Sequence, residues 1–233
     1  MIQIRSKDDI FEIDGGWFKG RWHFSFDQYY DPEYNSFGTL RVFNVDTLIP
    51  GAVWPMHPHR NIEVITYCLD GEFQHADDLG NDGILYPGDV QHTTVGRGIY
   101  HSEINHSQTS PMTFLQIWIF PAEHDLPPSV EQLKVKREDR LNHFLTLISN
   151  RNPNALPIQQ DAEFIVAAFE EPGKIISHKL ERGYGAYFYV ISGEVLLNGN
   201  LLLHGDAAKV IEEPLLEVKA TGASELAMVV IQV

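Results

Sequence analysis

The chain has 233 residues, of which 43% are hydrophobic, so it can form one large domain or two moderate domains with real cores. Lys and Arg number 17 against 32 Asp and Glu, a formal net charge of −15 that would repel nucleic-acid phosphates and anionic lipid headgroups. We therefore expect no direct nucleic-acid partner and no membrane partner. The single cysteine, Cys68, excludes an intrachain disulfide and a cysteine-based zinc site.

The N-terminal residues lack the long apolar segment of a signal peptide, and no apolar run approaches the ~18 residues of a membrane span. The sequence therefore predicts a soluble protein located in the reducing cytoplasm.

Almost every readable segment has the apolar pattern of a β-strand. The first half predicts strands at 39–46, 63–70, 83–87, 91–95, 100–105 and 113–120. A polar, Pro-rich stretch follows at 121–128, and 130–140 fits either a short helix or an extended segment. Strand patterns resume at 143–149, 164–169, 175–180, 184–191, 193–198, 207–211, 215–220 and 226–233. Many short strands with regular turn signals favour a barrel or sandwich.

The two halves of the chain resemble each other. In each half a buried strand runs into a Gly-Glu turn, and a Gly-Asp turn follows soon after: Gly71-Glu72 with Gly88-Asp89, and Gly193-Glu194 with Gly205-Asp206. We therefore predict two related β-domains, at 1–125 and 141–233, joined by a linker at 126–140.

Six of the 11 histidines lie between positions 57 and 106. His57 and His59 are two residues apart, as are His101 and Glu103, and such pairs share one face of a strand. Two such pairs on neighbouring strands would place three imidazole nitrogens and one carboxylate around a divalent ion. These ligands predict Fe²⁺, with Ni, Co, Mn, Cu or Zn as alternatives.

The same region carries a family resemblance. Residues 51–63, with His57, His59 and Glu63, resemble the first cupin motif, and residues 98–105 resemble the core of the second. The runs at 57–60, 66–73 and 96–103 resemble the pirin family more narrowly, and those at 22–26 and 30–32 are similar to its bacterial quercetinase-like branch. The resemblance implies an all-β bicupin of two tandem cupin (double-stranded β-helix, or jelly-roll) barrels. It also implies a metal ion in the first barrel and none in the second.

The carboxylate ligand has two candidates. Ordinary cupins take it from the position of Glu63, whereas pirins take it from the position of Glu103. Both residues share the parity of their His partners, so spacing does not choose between them. The pirin resemblance favours Glu103 and leaves Glu63 as a group that accepts an imidazole N–H.

The resemblance also implies quercetin 2,3-dioxygenase activity, in which a flavonol ring is opened by O₂ with release of CO. The substrates would then be a small aromatic enol and O₂, and Glu103 would be the catalytic base that takes the enol proton. An alternative is a metal-binding regulatory or redox-sensing protein that acts through protein partners. A third candidate is a sugar or small-acid isomerase, since one fold hosts many functions.

Overall fold

The computed structural model describes residues 1–233 and shows an almost entirely β protein in two compact units. Three short 3-10 turns are its only helical segments, at Lys7–Asp9, Pro32–Tyr34 and Arg137–Arg140. No helix in the structure has the length and hydropathy needed to cross a lipid bilayer.

The chain contains 21 strands. In chain order they are β1 (Ile2–Arg5), β2 (Phe11–Asp14), β3 (Phe18–Trp22), β4 (Leu40–Leu48), β5 (Val53–His59), β6 (Glu63–Asp70), β7 (Phe73–Asp77), β8 (Asp82–Leu85), β9 (Val90–Thr94), β10 (Ile99–Asn105), β11 (Met112–Ile119), β12 (Ser129–Leu133), β13 (Leu145–Ser149), β14 (Ala162–Phe169), β15 (Ile175–Lys179), β16 (Tyr184–Ser192), β17 (Glu194–Leu197), β18 (Asn200–Leu203), β19 (Ala207–Ile211), β20 (Leu215–Ala220) and β21 (Ser224–Gln232).

The first unit comprises Phe11–Val135 and Leu156–Gln160. It contains a seven-stranded sheet in the order β12-β9-β6-β11-β4-β3-β2 and a four-stranded sheet in the order β5-β10-β7-β8. All pairings in both sheets are antiparallel. Side chains from both sheets meet in one apolar cluster, in which Cys68 and Phe114 pack with Phe73 and Leu85. The two sheets therefore enclose a common interior, as in a jelly-roll barrel.

The second unit comprises Met1–Ile10, Lys136–Ala155 and Asp161–Val233. Its sheets have the orders β1-β19-β16-β21-β14-β13 and β15-β20-β17-β18. A larger apolar cluster fills its interior, and buried side chains such as Phe188, Leu216, Val218 and Met228 are fully excluded from solvent. This unit is therefore a second two-sheet β-domain, and its centre is apolar.

The Gly-Glu turns have the same geometry in both units. Gly71 and Gly193 have φ values of +80° and +70°, a region that favours glycine. A Cβ on Gly71 would lie 2.6 Å from the Pro111 carbonyl oxygen, and a Cβ on Gly193 would lie 2.2 Å from that of Ala223. Each turn therefore packs against the backbone just before the return strand, so the predicted relation between the halves extends to individual contacts.

The Gly-Asp turns repeat in the same way. Asp89 accepts a hydrogen bond from the Val135 N–H at 3.0 Å, and Asp206 accepts one from the Lys7 N–H at 2.9 Å. Val135 follows β12 and Lys7 follows β1, each of which is the edge strand beside the Gly-Asp turn of its unit. Strand β1 therefore occupies in the second unit the place that β12 occupies in the first.

The units do not follow the predicted domain boundaries everywhere. Residues 1–10 lie in the second unit rather than the first, because β1 pairs with β19. Residues 129–133 of the predicted linker form β12, which pairs with β9 inside the first unit. Residues 137–140 form a 3-10 turn, so the 130–140 segment contains both a strand and a helical turn.

Candidate metal centre

Three histidines converge in the first unit. His57 and His59 lie on β5 and His101 lies on β10, and the register of these strands places His101 opposite His57. One ligand atom from each of the three lies within 4.8 Å of the other two. The i, i+2 spacing on β5 directs both of its imidazoles to the same side of the sheet, where His101 meets them.

The ring nitrogens of this cluster suit a cation. The Pro55 carbonyl oxygen lies 2.8 Å from His57 Nδ1, and a carbonyl can only accept, so His57 Nδ1 carries the proton. In neutral His57 this leaves a lone pair on Nε2, which lies 3.1 Å from Nε2 of His101. A cation between the rings would bind such lone pairs.

Burial keeps two of the rings neutral. Desolvation, reinforced by His57, lowers the pKa of His101 to about 2 and that of His59 to about 4. Both rings are therefore unprotonated at neutral pH and can serve as nitrogen ligands without first losing a proton. The donor set fits a divalent transition-metal ion.

Glu103 lies two residues from His101 on β10 and opposite His75 of β7, but it does not belong to the group of three histidines. It is buried on β10, where a register shift against β5 separates it from His101. Its carboxylate accepts a hydrogen bond from the side chain of Gln116. Burial, together with the charge of Asp46, raises the pKa of Glu103 to about 8. A bound cation would act in the opposite direction and favour the carboxylate.

Glu63 faces a different environment. Its Oε2 accepts a hydrogen bond from Thr94 Oγ1 at 3.1 Å and lies 2.7 Å from Nε2 of His92, and neither partner belongs to the three-histidine cluster. Thr66, three residues later on β6, contacts Gln116, the partner of Glu103. Residues three apart on a regular strand point to opposite faces, so Glu63 points away from the face that carries Gln116.

A second hydrogen-bonded pair adjoins the cluster. His75 on β7 is buried, its ring lies 5.5 Å from that of His101, and its Nε2 is 2.9 Å from Asp77 Oδ2. Gln91 approaches the other ring nitrogen at 3.2 Å. The sequence spacing of His75 and Gln91 does not identify either as a residue near the metal site. His75 comes close to His101, and Gln91 to His75, only through the pairing of distant strands.

Aromatic rings line one side of the cluster. The ring of Trp118 lies 4.8 Å from that of His59, and Phe26 packs edge-on against Trp118 at 5.3 Å. The indole Nε1 of Trp118 is buried without a hydrogen-bond acceptor. This wall therefore combines flat apolar surface with one unused donor.

The side chain of Arg60, which follows the histidine pair in the chain, pairs with a surface carboxylate. It is 67% exposed and forms an ion pair with Asp125 at 2.8 Å. A cavity of about 560 Å³ lies in the second unit between Leu180–Tyr184 and Ile211–Pro214, and no histidine lines it. This cavity therefore lacks the imidazole ligands that the first unit brings together.

The fold and this cluster can be compared with known proteins. The pattern of the pirin family matches residues 5–119, and that of the quercetinase C-terminal cupin domain matches residues 146–230. A pirin-like protein of Caulobacter vibrioides is 36% identical over 231 residues, which cover 98% of this chain and 99% of that protein. The chain belongs to the pirin family. The predicted all-β bicupin fold is thereby confirmed.

Other pirins and their relatives are similar over the whole chain. A quercetin 2,3-dioxygenase of Escherichia coli K12 is 32% identical over 228 residues, covering 97% of this chain and 96% of that protein. The crystal structure of the bacterial pirin YhhW of Escherichia coli in complex with nickel(II) aligns with a TM-score of 0.93 at 29% identity, covering 100% of this chain and 99% of that one. One of these relatives is thus named as a dioxygenase and another binds nickel(II), and in this chain three histidines form a candidate metal site.

Proposed function

We propose that this pirin is a metal-dependent dioxygenase that opens the heterocyclic ring of flavonols with O₂ and releases CO. The observation that carries the proposal is the cluster of His57, His59 and His101 beside a buried carboxylate and an aromatic wall. The similarity to proteins named quercetin 2,3-dioxygenase supports it.

The three histidines would hold the ion, with Glu103 as the fourth ligand or as the proton acceptor. When bound, a divalent ion would supply the charge that stabilises an enolate, and a redox-active ion such as Fe²⁺ would also supply the redox chemistry that O₂ requires. We propose Fe²⁺ as the ion, and elemental analysis of protein purified from its own host tests that assignment.

The residues around the centre suit a planar aromatic enol. Glu103 is a buried carboxyl group, and a bound divalent ion would favour its ionised form, which would then accept the proton of the 3-hydroxyl. Trp118 and Phe26 would pack against the rings of the flavonol. The indole N–H of Trp118, which has no acceptor in the protein, would donate to an oxygen of the substrate.

Aerobic turnover tests this function directly. Protein loaded separately with Fe²⁺, Ni²⁺, Co²⁺, Mn²⁺, Cu²⁺ and Zn²⁺ is mixed with quercetin under air, and loss of the flavonol absorbance is followed together with CO release. We expect turnover with at least one ion and none with His101→Ala loaded in the same way. An intact flavonol band with every ion would contradict the proposal.

A regulatory role is the second candidate, and it is favoured by exposed apolar side chains next to the ligands. Met56 and Tyr100 are 51% and 52% exposed and directly precede His57 and His101 in the chain. A protein partner that covers these side chains would sense the state of the ion beside them. Capture of a partner by the oxidised metal-loaded protein alone, without flavonol turnover, would favour this role.

A further inference from the structure

A row of hydrogen-bonding side chains crosses the seven-stranded sheet next to Glu103. The register aligns Thr66 of β6 with Gln116 of β11, and Gln116 with Asn44 of β4. Directly opposed residues on antiparallel strands share one face of the sheet, with Cβ atoms about 5 Å apart. Thr66 and Gln116 are only 2% and 6% exposed, so their polar atoms depend on partners within the protein.

The hydrogen bonds along this row have a defined direction. Thr66 Oγ1 donates to Gln116 Oε1 at 3.0 Å, and Gln116 Nε2 donates to Oε1 of Glu103. Because the hydroxyl occupies the carbonyl end of the amide, the amino end faces Glu103. When Glu103 is ionised, as a bound cation would favour, this contact is a charge-assisted hydrogen bond, which is stronger than one between neutral groups.

The series of hydrogen bonds runs from Gln116 to Glu103 and does not continue along the row to Asn44. Asn44 is the next residue in the row, yet its Oδ1 is buried without a hydrogen-bond partner. If these side-chain hydrogen bonds served only to join the strands, we would expect Gln116 to donate to this acceptor. The amide of Gln116 is instead directed to Glu103, the carboxylate beside the three histidines.

We propose that Gln116, oriented by Thr66, is a positioning residue that occupies one oxygen of Glu103. The other carboxylate oxygen, which accepts nothing from Gln116, is then the one that Glu103 would present to a divalent ion or to a substrate proton. The inference rests on the role of Glu103 in the proposed function and assigns Gln116 and Thr66 to the same site. Outer partners of this kind orient metal ligands, and their loss costs about 10-fold to 100-fold in metal affinity or activity.

Loss of the Thr66 hydroxyl tests this arrangement. Thr66→Val removes the donor that fixes the amide, Thr66→Ser keeps it, and Gln116→Leu removes the amide itself. Each variant is loaded with Co²⁺, and both the dissociation constant of the ion and its visible absorption spectrum are measured without flavonol. Thr94→Val is the matched control, because Thr94 donates to Glu63 on the other face of the sheet. Thermal melting verifies that each variant is folded.

We expect Gln116→Leu and Thr66→Val to weaken Co²⁺ binding by about tenfold or more and to change its spectrum. Thr66→Ser and Thr94→Val should resemble the wild type. A wild-type dissociation constant and spectrum in Thr66→Val would overturn the proposal, even if Gln116→Leu does not fold. The Co²⁺ measurements need no substrate, so a wild type that binds Co²⁺ but leaves quercetin intact with every ion tested would contradict the dioxygenase function alone.

Discussion

At the residue scale, the two carboxylates near the candidate centre differ in what surrounds them. Glu103 is held by Gln116 on the face that looks toward the histidines, whereas Glu63 is held by Thr94 on the opposite face of β6. Both are buried, at 5% and 0% exposure, so neither can exchange its partners for water. Their different partners lead to different expectations for metal binding.

We expect Glu103→Gln to weaken metal binding and Glu63→Gln to leave it near the wild-type value. Removal of the anionic oxygen beside the histidines should cost at least the roughly tenfold that loss of an outer partner costs. Metal content after dialysis against a weak chelator, together with the dissociation constant, measures the effect. Retention by Glu103→Gln with loss by Glu63→Gln would assign the ligand to Glu63.

Trp118 offers a second test at this scale. Trp118→Phe keeps an aromatic ring against His59 and removes the indole N–H that has no acceptor in the protein. We expect KM for quercetin to rise about twofold to tenfold, the effect of one lost hydrogen bond, with a smaller change in kcat. Trp17→Phe is the control, because Trp17 packs on Phe18 and Trp54. Equal effects of the two changes on KM would argue against a substrate contact by Trp118.

At the element scale, the repeated turns explain how two units with different centres keep one architecture. In both units the strand before the Gly-Glu turn is tied to its Gly-Asp turn by backbone hydrogen bonds. Gly88 N–H donates to the Cys68 carbonyl at 2.9 Å, and Gly205 N–H donates to the Val190 carbonyl at 2.9 Å. The turns are common to both units, whereas strands outside them supply the histidine cluster in the first unit and apolar core in the second.

Substitution of the turn glycines should therefore destabilise either unit. Gly71→Ala must place a Cβ at 2.6 Å from a carbonyl oxygen at a positive φ, so we expect a loss of more than about 2 kcal/mol in the free energy of unfolding. Gly80→Ala is the control, with φ +88° and open space around the added methyl, and it should cost only the backbone strain of about 1–2 kcal/mol. Urea unfolding measures both, and equal losses would contradict the steric argument.

At the scale of the whole molecule, the first unit encloses carboxyl groups that have little contact with solvent. Asp46 is 4% exposed and accepts a hydrogen bond from Trp22 Nε1 at 3.2 Å, and burial raises its pKa to about 7. The folded pKa lies above the unfolded value of 3.8, so folding favours the protonated acid. This contribution to stability is complete below about pH 4 and is lost as the pH rises through about 7.

The metal-free protein should reveal this loss. Asp46→Asn keeps an acceptor for Trp22 and cannot ionise, so its stability relative to the wild type should increase between pH 4 and pH 8. The increase should be a few kcal/mol and at most about 4, at ~1.4 kcal/mol for each unit of pKa. Urea unfolding with a chelator present at both pH values measures the difference. Parallel pH profiles for the two proteins would show that Asp46 keeps its ordinary pKa on folding.

Local pattern determined much of this protein. Strand parity was enough to place His57 and His59 on one face, and the turn signals were enough to predict two related β-domains. These features are local, since two residues on one strand, or four residues in a turn, already specify their own geometry.

Tertiary structure decided the rest. The alternation of side chains along a strand could not distinguish Glu63 from Glu103 as the ligand. It specifies which residues share a face of the strand, but not which face of the sheet points to the interior. The contacts among Thr66, Gln116 and Glu103 depend on the register of strands about 50 residues apart in the chain. The assignment of residues 1–10 to the second unit depends on pairing across almost the whole sequence, between β1 and β19. Such long-range pairings are set by burial of the complete sheets, which no local pattern records.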